Sequence, residues 1–244
     1  MKVAVLRPQE YIQQTLELFP ADVEVVPTPF LRININEEGI DELRNLDHFD
    51  VAIVTSQTAA RILLSYSYIL KDKRVIAIGK KTAEVLSQYG IEAEIPQKFD
   101  SQTVYNQYKS ELKDLRVILL RSNRGDPVLL KLNDVARVEE VVLYTIEKEW
   151  GEKQKELLNM VKRKEIDAVI FSSSMMVKSF MGLAEEMGIL QELLEYLNQI
   201  WVIAIGPPTA NMLKEYGVES KMPDEYTFNG IIKLLSSLKG EQKK

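Results

Sequence analysis

The sequence predicts an α/β protein built from two like halves, and three observations carry that prediction. One stretch occurs twice: VIAIGKKTAEVLSQYGIEAEIP from Val75 to Pro96 and VIAIGPPTANMLKEYGVESKMP from Val202 to Pro223, 127 positions apart. Short runs rich in Val and Ile recur at Lys2, Asp50, Arg116 and Asp167. They are too short for helices and suit strands buried on both faces, as in a parallel sheet. The first is followed by Arg7-Pro8 and the others by a hydroxyl- or glycine-containing turn, and a helical pattern comes next, the order of an α/β unit.

In chain order, KVAVLRP is a buried strand ending in Arg7, and RVILLRS, ending in Arg121, is its counterpart. An arginine at a strand's carboxyl end either grips a carboxylate or phosphate or bonds a neighbouring loop. Residues 9 to 19 form a short amphipathic helix, and Val23 to Pro29 form a second strand. Phe30 to Asn36 alternates apolar and polar residues, which suits an exposed strand or a linker. After a helix from Glu37 to Leu46, DVAIVTSQTAARILL matches DAVIFSSSMMVKSFM in layout: an Asp, a buried strand, hydroxyls at the tip and a striped helix. The tip hydroxyls, Thr55 and Ser56 or Ser172, Ser173 and Ser174, include one helix N-cap each, and the others are open to a substrate role. Met175 and Met176 read as core or pocket lining.

In the repeat itself, Gly79 and Gly206 let the backbone turn sharply. Thr82-Ala83 and Thr209-Ala210 lie in a helix closed by Gly90 or Gly217, and a second short strand ends at Pro96 or Pro223. Unpaired amides in the helix's first turn make the tip able to receive an anion, although the repeat also serves simply to build the fold. Lys80-Lys81 opposes the helix dipole unless an anion compensates, and the second copy has Pro207-Pro208 there. Phe99 to Tyr108 and Asp224 to Leu235 again correspond, with Ser101 and Thr227 as expected caps. Asp126-Pro127 opens a helix, Val138 to Lys148 is a strand containing Tyr144, and Trp150 to Glu165 is an amphipathic helix. Lys239 to Lys244 reads as a frayed tail.

Composition removes several classes of function. The 244 residues are 45% apolar, ample for large cores, yet hold no apolar run of membrane-spanning length and no leader pattern, so a cytoplasmic protein is expected. Without cysteine there are no disulfides and no thiolate chemistry. The single histidine, His48, reads as a surface residue in a loop and cannot build a histidine metal site. A net charge of −5 without a basic block argues against nucleic acid as a partner.

Taken in succession, these motifs resemble the uroporphyrinogen-III synthase family: a first strand ending in Arg7, V-T-S-x-x-A at Val54 to Ala59, and A-I-G-x-x-T-A twice. Between them lie R-S-N-R-G at Arg121 to Gly125 and the V-x-x-V-V-x-Y strand reaching Tyr144. The resemblance implies two flavodoxin-like lobes with parallel five-stranded sheets, joined by a two-stranded β-ladder. One lobe is discontinuous, 1–33 with 147–244; the other is 36–143; the linker strands are about 30–36 and 143–149. It implies a monomeric, cofactor- and metal-independent hydro-lyase that closes hydroxymethylbilane to uroporphyrinogen III, inverting ring D and releasing water. It makes Tyr144 the candidate proton donor or hydroxyl-orienting group, since a phenol holds its proton at neutral pH. For the substrate's acidic side chains it offers Arg7, Thr55, Ser56, Lys80, Thr82, Ser101, Arg121, Ser172, Ser173, Thr209 and the backbone of Pro208. The family's common T-S at the second hydroxyl tip is Ser172-Ser173 here, which keeps the hydroxyl and loses a methyl. A two-lobed non-enzymatic binder of a small anionic ligand is the rival reading. A flavodoxin-like regulatory pair is weaker, because no clustered acidic pocket with a Lys partner is evident.

Overall fold

The protein is described from a computed structural model, which covers residues 1–46 and 48–238. From the N-terminus, β1 (Lys2–Leu6) leads through a 3₁₀ turn (Gln9–Tyr11) to α1 (Ile12–Leu16), β2 (Glu24–Pro27), β3 (Leu31–Ile35) and α2 (Glu37–Arg44). There follow β4 (Val51–Val54), α3 (Gln57–Leu63), α4 (Ser67–Leu70), β5 (Arg74–Ala77), α5 (Lys80–Ser87) and α6 (Ser101–Tyr108). Next come β6 (Arg116–Ser122), a 3₁₀ helix (Pro127–Asp134) and the long β7 (Arg137–Lys148). The chain closes with α7 (Glu152–Lys162), β8 (Ala168–Phe171), α8 (Ser174–Glu186), α9 (Leu190–Leu197), β9 (Trp201–Ala204), α10 (Pro207–Glu215) and α11 (Phe228–Leu238). None of the described helices is long and apolar enough to cross a membrane. The expected frayed tail, Lys239 to Lys244, lies outside the described residues.

Backbone contacts divide the chain into two units, Met1–Arg32 with Glu147–Lys244, and Ile33–Ile146. The first holds a parallel sheet in the order β2-β1-β8-β9. Val3, Val5, Ala168, Ile170 and Ile203 pack on one side against Phe228, Ile231 and Leu235 of α11. On the intervening positions, Phe171 meets Phe180 of α8 edge-on with centroids 5.3 Å apart, and Phe180 in turn meets Phe30 at 5.2 Å. Because both faces are covered, the strands read as continuous apolar runs rather than alternating ones. Two buried polar side chains are satisfied within this core: Ser179 Oγ donates to Phe30 O (2.6 Å), and Gln154 Nε2 donates to Pro29 O (2.6 Å).

The second unit holds a sheet in the order β3-β7-β6-β4-β5, in which β7, β6, β4 and β5 are parallel. Ala52, Val54, Ile118 and Leu120 face α2, α3 and α5 through Ile40, Leu43, Ala59, Leu63 and Leu86. The alternate residues, Ile53, Val117 and Leu119, face α6 and the 3₁₀ helix through Val104, Tyr108, Leu129 and Leu132. β3 and β7 are the strands along which the chain passes between units. Asn36 N donates to Leu143 O and Glu149 N to Phe30 O, each at 3.0 Å, so partners advance in opposite directions and the pair is antiparallel.

The sequence expectation of five parallel strands per lobe is corrected. The first unit's sheet has four, and the fifth member of the second sheet is the antiparallel β3 rather than the strand expected before Pro96. Those expected fifth strands shrink to single parallel bridges, Ile76 to Glu94 and Ile203 to Lys221. Each bridge is tied by a different chemistry at equivalent positions. Arg74 Nε donates to Glu94 (2.7 Å) in one copy, and in the other Lys221 Nζ sits 5.1 Å from the Trp201 ring centroid. Asp126 caps the next turn as expected, accepting from Val128 N (2.9 Å), but the turn it opens is 3₁₀ rather than α.

Candidate active site

The carboxyl ends of the parallel strands form a rim in each unit, and backbone turns there place the side chains. In the second unit, β4 ends at Thr55 and Ser56. Ser56 caps α3, its Oγ accepting from Ala59 N at 3.0 Å, and the same Oγ lies 2.9 Å from the Tyr144 hydroxyl. Tyr144 comes from β7, only 5% exposed, with its ring in the core beside Leu143 and Ala59. Thr55 is half-buried next to this pair.

Beside it, β5 ends at Gly79, whose φ of +104° lies in a region that side-chain-bearing residues rarely adopt. Lys80 and Lys81 begin α5 and are exposed. Thr82 is buried and returns its hydroxyl to Ile78 O at 3.4 Å, which leaves it facing its own backbone. Ser101 is corrected as a cap: Asp100 caps α6 by accepting from Thr103 N at 2.7 Å. The cap is the acid one residue earlier, and Ser101 is the first residue of the helix.

Arg121, at the end of β6, is almost fully buried and committed. Its Nε donates to Glu140 Oε1 (2.7 Å) and its Nη1 to Asp126 O (2.6 Å). A Cβ on Gly125 would stand 2.4 Å from Arg121 Cδ, so the R-S-N-R-G turn needs glycine to let this guanidinium fold over it. Of the two readings open from the sequence, the loop-bonding one describes Arg121.

Arg7, its counterpart in the first unit, is different. It is half-buried, donates to Thr15 Oγ1, and lies over the rings of Phe228 (4.1 Å) and Tyr11 (4.9 Å). Burial weakens the guanidinium's hold on its proton, opposed by the nearby Tyr11 and Glu10. Among the described residues it forms no ion pair. Thr15, eight residues on, and Phe228, at the far end of the chain, fix it, and neither carried a sequence signal of that role.

The adjoining strand tip, Ser172-Ser173, divides its work. Ser173 caps α8, accepting from Met176 N at 3.2 Å, while Ser172 Oγ is buried with no hydrogen-bonding partner among the described residues. Thr28 Oγ1, after β2, shares that condition. Both lie at the carboxyl edge of the sheet: Ser172 N bonds Leu6 O and Thr28 N bonds Val5 O. At the last tip, Gly206 is extended (φ −174°), Pro207 and Pro208 open α10 exposed, and Thr209 is buried. Thr227 caps α11 by accepting from Gly230 N (3.1 Å), as expected. His48 is exposed beside Asp50, also as expected.

The profile of the uroporphyrinogen-III synthase HemD family matches residues 15–233. The chain belongs to this family. A provisionally named uroporphyrinogen-III synthase of Archaeoglobus fulgidus is 42% identical over 243 residues, covering 98% of this chain and all of that protein. A provisionally named homologue from Methanothermobacter thermautotrophicus is 28% identical across 98% of the chain. In fold, the chain is similar to a crystallised mutant uroporphyrinogen III synthase of Thermus thermophilus (TM-score 0.72, 22% identity, 98% and 97% of the two chains). It is also similar to the enzyme of Helicobacter pylori 26695 (TM-score 0.61, 18% identity, 98% and 100%). Within this HemD chain, each rim thus gathers hydroxyls and helix-start amides. The second carries the Tyr144–Ser56 pair, and the first carries Arg7, which forms no ion pair among the described residues.

Proposed function

We propose that this HemD family member is a uroporphyrinogen-III synthase of tetrapyrrole biosynthesis, closing hydroxymethylbilane with inversion of ring D and loss of water. The full-length match to a relative at 42% identity carries the reading. The finer description of the units as flavodoxin-like lobes is supported by their shared spatial order: β7-β6-β4-β5 repeats β2-β1-β8-β9 with the chain order rotated.

The chemistry sets what the residues must do. The terminal hydroxyl leaves with a proton, giving an azafulvenium cation; the substituted carbon of ring D attacks it to form a spiro intermediate. The original bond from ring D to its methylene bridge then breaks, the free carbon of ring D recloses on that methylene, and loss of this carbon's proton completes the neutral macrocycle. Tyr144 is assigned the proton delivery or orientation of the leaving hydroxyl, and Ser56 the orientation of Tyr144; their 2.9 Å contact supports both roles. Arg7 is assigned to a substrate carboxylate, supported by a half-buried guanidinium with no ion-pair partner among the described residues. The exposed amides of Lys80 and Lys81 at the start of α5 serve further acids, whereas α10 opens with Pro207 and Pro208, which carry no N–H. Arg121 is assigned no substrate contact.

The test is a cyclisation assay with hydroxymethylbilane in which the type I and type III isomers are separated. Dominant type III product is expected. Type I product alone, at the spontaneous rate, rejects the assignment.

A further inference from the structure

The repeat extends past the residues already used. Positions 127 apart remain structurally equivalent beyond the proline: the bridges at Glu94 and Lys221, the caps Asp100 and Thr227, and the helices α6 and α11 all correspond. Between bridge and cap lie IPQKF in one copy and MPDEY in the other, from Ile95 and from Met222. Only the proline is identical, yet both copies end in an aromatic residue, Phe99 and Tyr226.

Neither ring is in a core. Phe99 is 55% exposed and Tyr226 58% exposed. Each lies against the glycine of its own rim. A Cβ built on Gly79 would stand 3.7 Å from Phe99 Cβ, and one on Gly206 would stand 3.4 Å from Tyr226 Cγ. One face of each side chain is therefore seated on the turn between the strand end and the helix start, while much of the ring meets water.

A single exposed aromatic needs no explanation. Two at the same place on two copies, whose neighbours have changed from Lys98 to Glu225 and from Asp100 to Thr227, need one. Shielding the glycine turn is an insufficient reason, because an aliphatic side chain covers backbone as well. A flat, exposed aromatic surface at the strand tip suits a flat ring, since aromatic pairs gain from offset stacking and edge-to-face contact.

Resting on the functional reading above, we propose that Phe99 and Tyr226 are ring platforms, each of which packs against a pyrrole of the tetrapyrrole and orients it at the strand tip. They are positioning residues and take no part in proton transfer.

The test uses the full-length protein and uroporphyrin III, an air-stable macrocycle whose own fluorescence reports binding, with Phe99→Leu, Tyr226→Leu and Tyr226→Phe. Each Leu variant should weaken binding roughly tenfold, the size expected for loss of one ring contact. Its melting temperature should stay within about 2 °C of the parent's, since an exposed site is altered. Tyr226→Phe, which keeps the ring, should recover the affinity that Leu loses. Unchanged affinity in both Leu variants overturns the platform. So does a loss of affinity matched by a fall in melting temperature, which marks the ring as a structural cover, and so does failure of the parent protein to bind uroporphyrin III. Turnover of hydroxymethylbilane is measured separately, so a parent that binds the macrocycle and yields no type III product defeats the functional reading and leaves the platform standing.

Discussion

The hydroxyls of Tyr144 and Ser56 lie 2.9 Å apart, and the serine oxygen simultaneously accepts from Ala59 N at 3.0 Å. A residue 88 positions away in sequence is thereby fixed by a helix cap. The phenol's orientation is set by backbone geometry at the start of α3 rather than by another mobile side chain. Tyr144→Phe should therefore lower kcat by about a hundredfold, the lower range for losing a general acid. Stability should fall by no more than about 1 kcal/mol, since one hydrogen bond is lost and the ring is kept. Stopped assays and a thermal melt check both, and an unchanged kcat removes the hydroxyl from the reaction.

The two strand-end arginines should separate cleanly. Arg121→Ala removes bonds to Glu140, itself a third exposed, and to Asp126 O, and opens a gap over Gly125, so a loss of roughly 2 kcal/mol is expected. Substrate KM in the folded fraction should not move. Arg7→Ala should do the reverse: a modest effect on the melt and a KM raised about tenfold at low salt, with the difference shrinking as salt screens the substrate's charge. Denaturant melts and KM at two ionic strengths decide it; an Arg7→Ala KM equal to the parent's, or a variant-to-parent KM ratio that does not change with salt, rejects substrate contact by Arg7.

Buried parallel strands and hydroxyl tips were legible in the sequence because they depend on neighbours a few residues away: Val-Ile runs, Ser56 and Ser173 three residues before the amides they receive, Gly90 and Gly217 after each helix. The fates of Arg7 and Arg121 were not legible. Both end an apolar strand, but one finds Phe228, more than two hundred residues on, and the other finds Glu140 on the adjacent strand. Ladder length was also hidden. IEAEIP and VESKMP both look like strands, yet each makes one bridge only, because nothing in local pattern reports how far a neighbouring strand continues.

The repeated glycine is a case where identical letters serve unlike backbones. Gly79 has φ +104°, whereas Gly206 is extended at −174°. Gly79→Ala should cost about 1 kcal/mol or more through backbone strain. Gly206→Ala meets only an ordinary contact with Tyr226 and should change the melt far less. Equal losses in the two variants would mean that the backbone difference carries no energy.

The bridge chemistry gives a pH signature. Hydrogen bonds from Arg74 hold the Glu94 carboxyl below the usual carboxylate range, an effect partly offset by burial. A carboxyl depressed in the folded state contributes stability that is complete above its unfolded value, about 4.3, and is lost as pH falls through the lower folded value. Glu94→Gln should thus lower the melting temperature near neutral pH by about 1–2 °C, a small figure because the pair is partly exposed. That difference should close as the pH is taken from about 5 toward 2. The equivalent bridge at Lys221 rests on a lysine over the Trp201 ring rather than on an arginine–carboxylate pair. Lys221→Met should therefore shift the melt by the same amount at both ends of the range, and a Lys221 effect that faded in acid would show that the two bridges are stabilised by the same carboxylate chemistry after all.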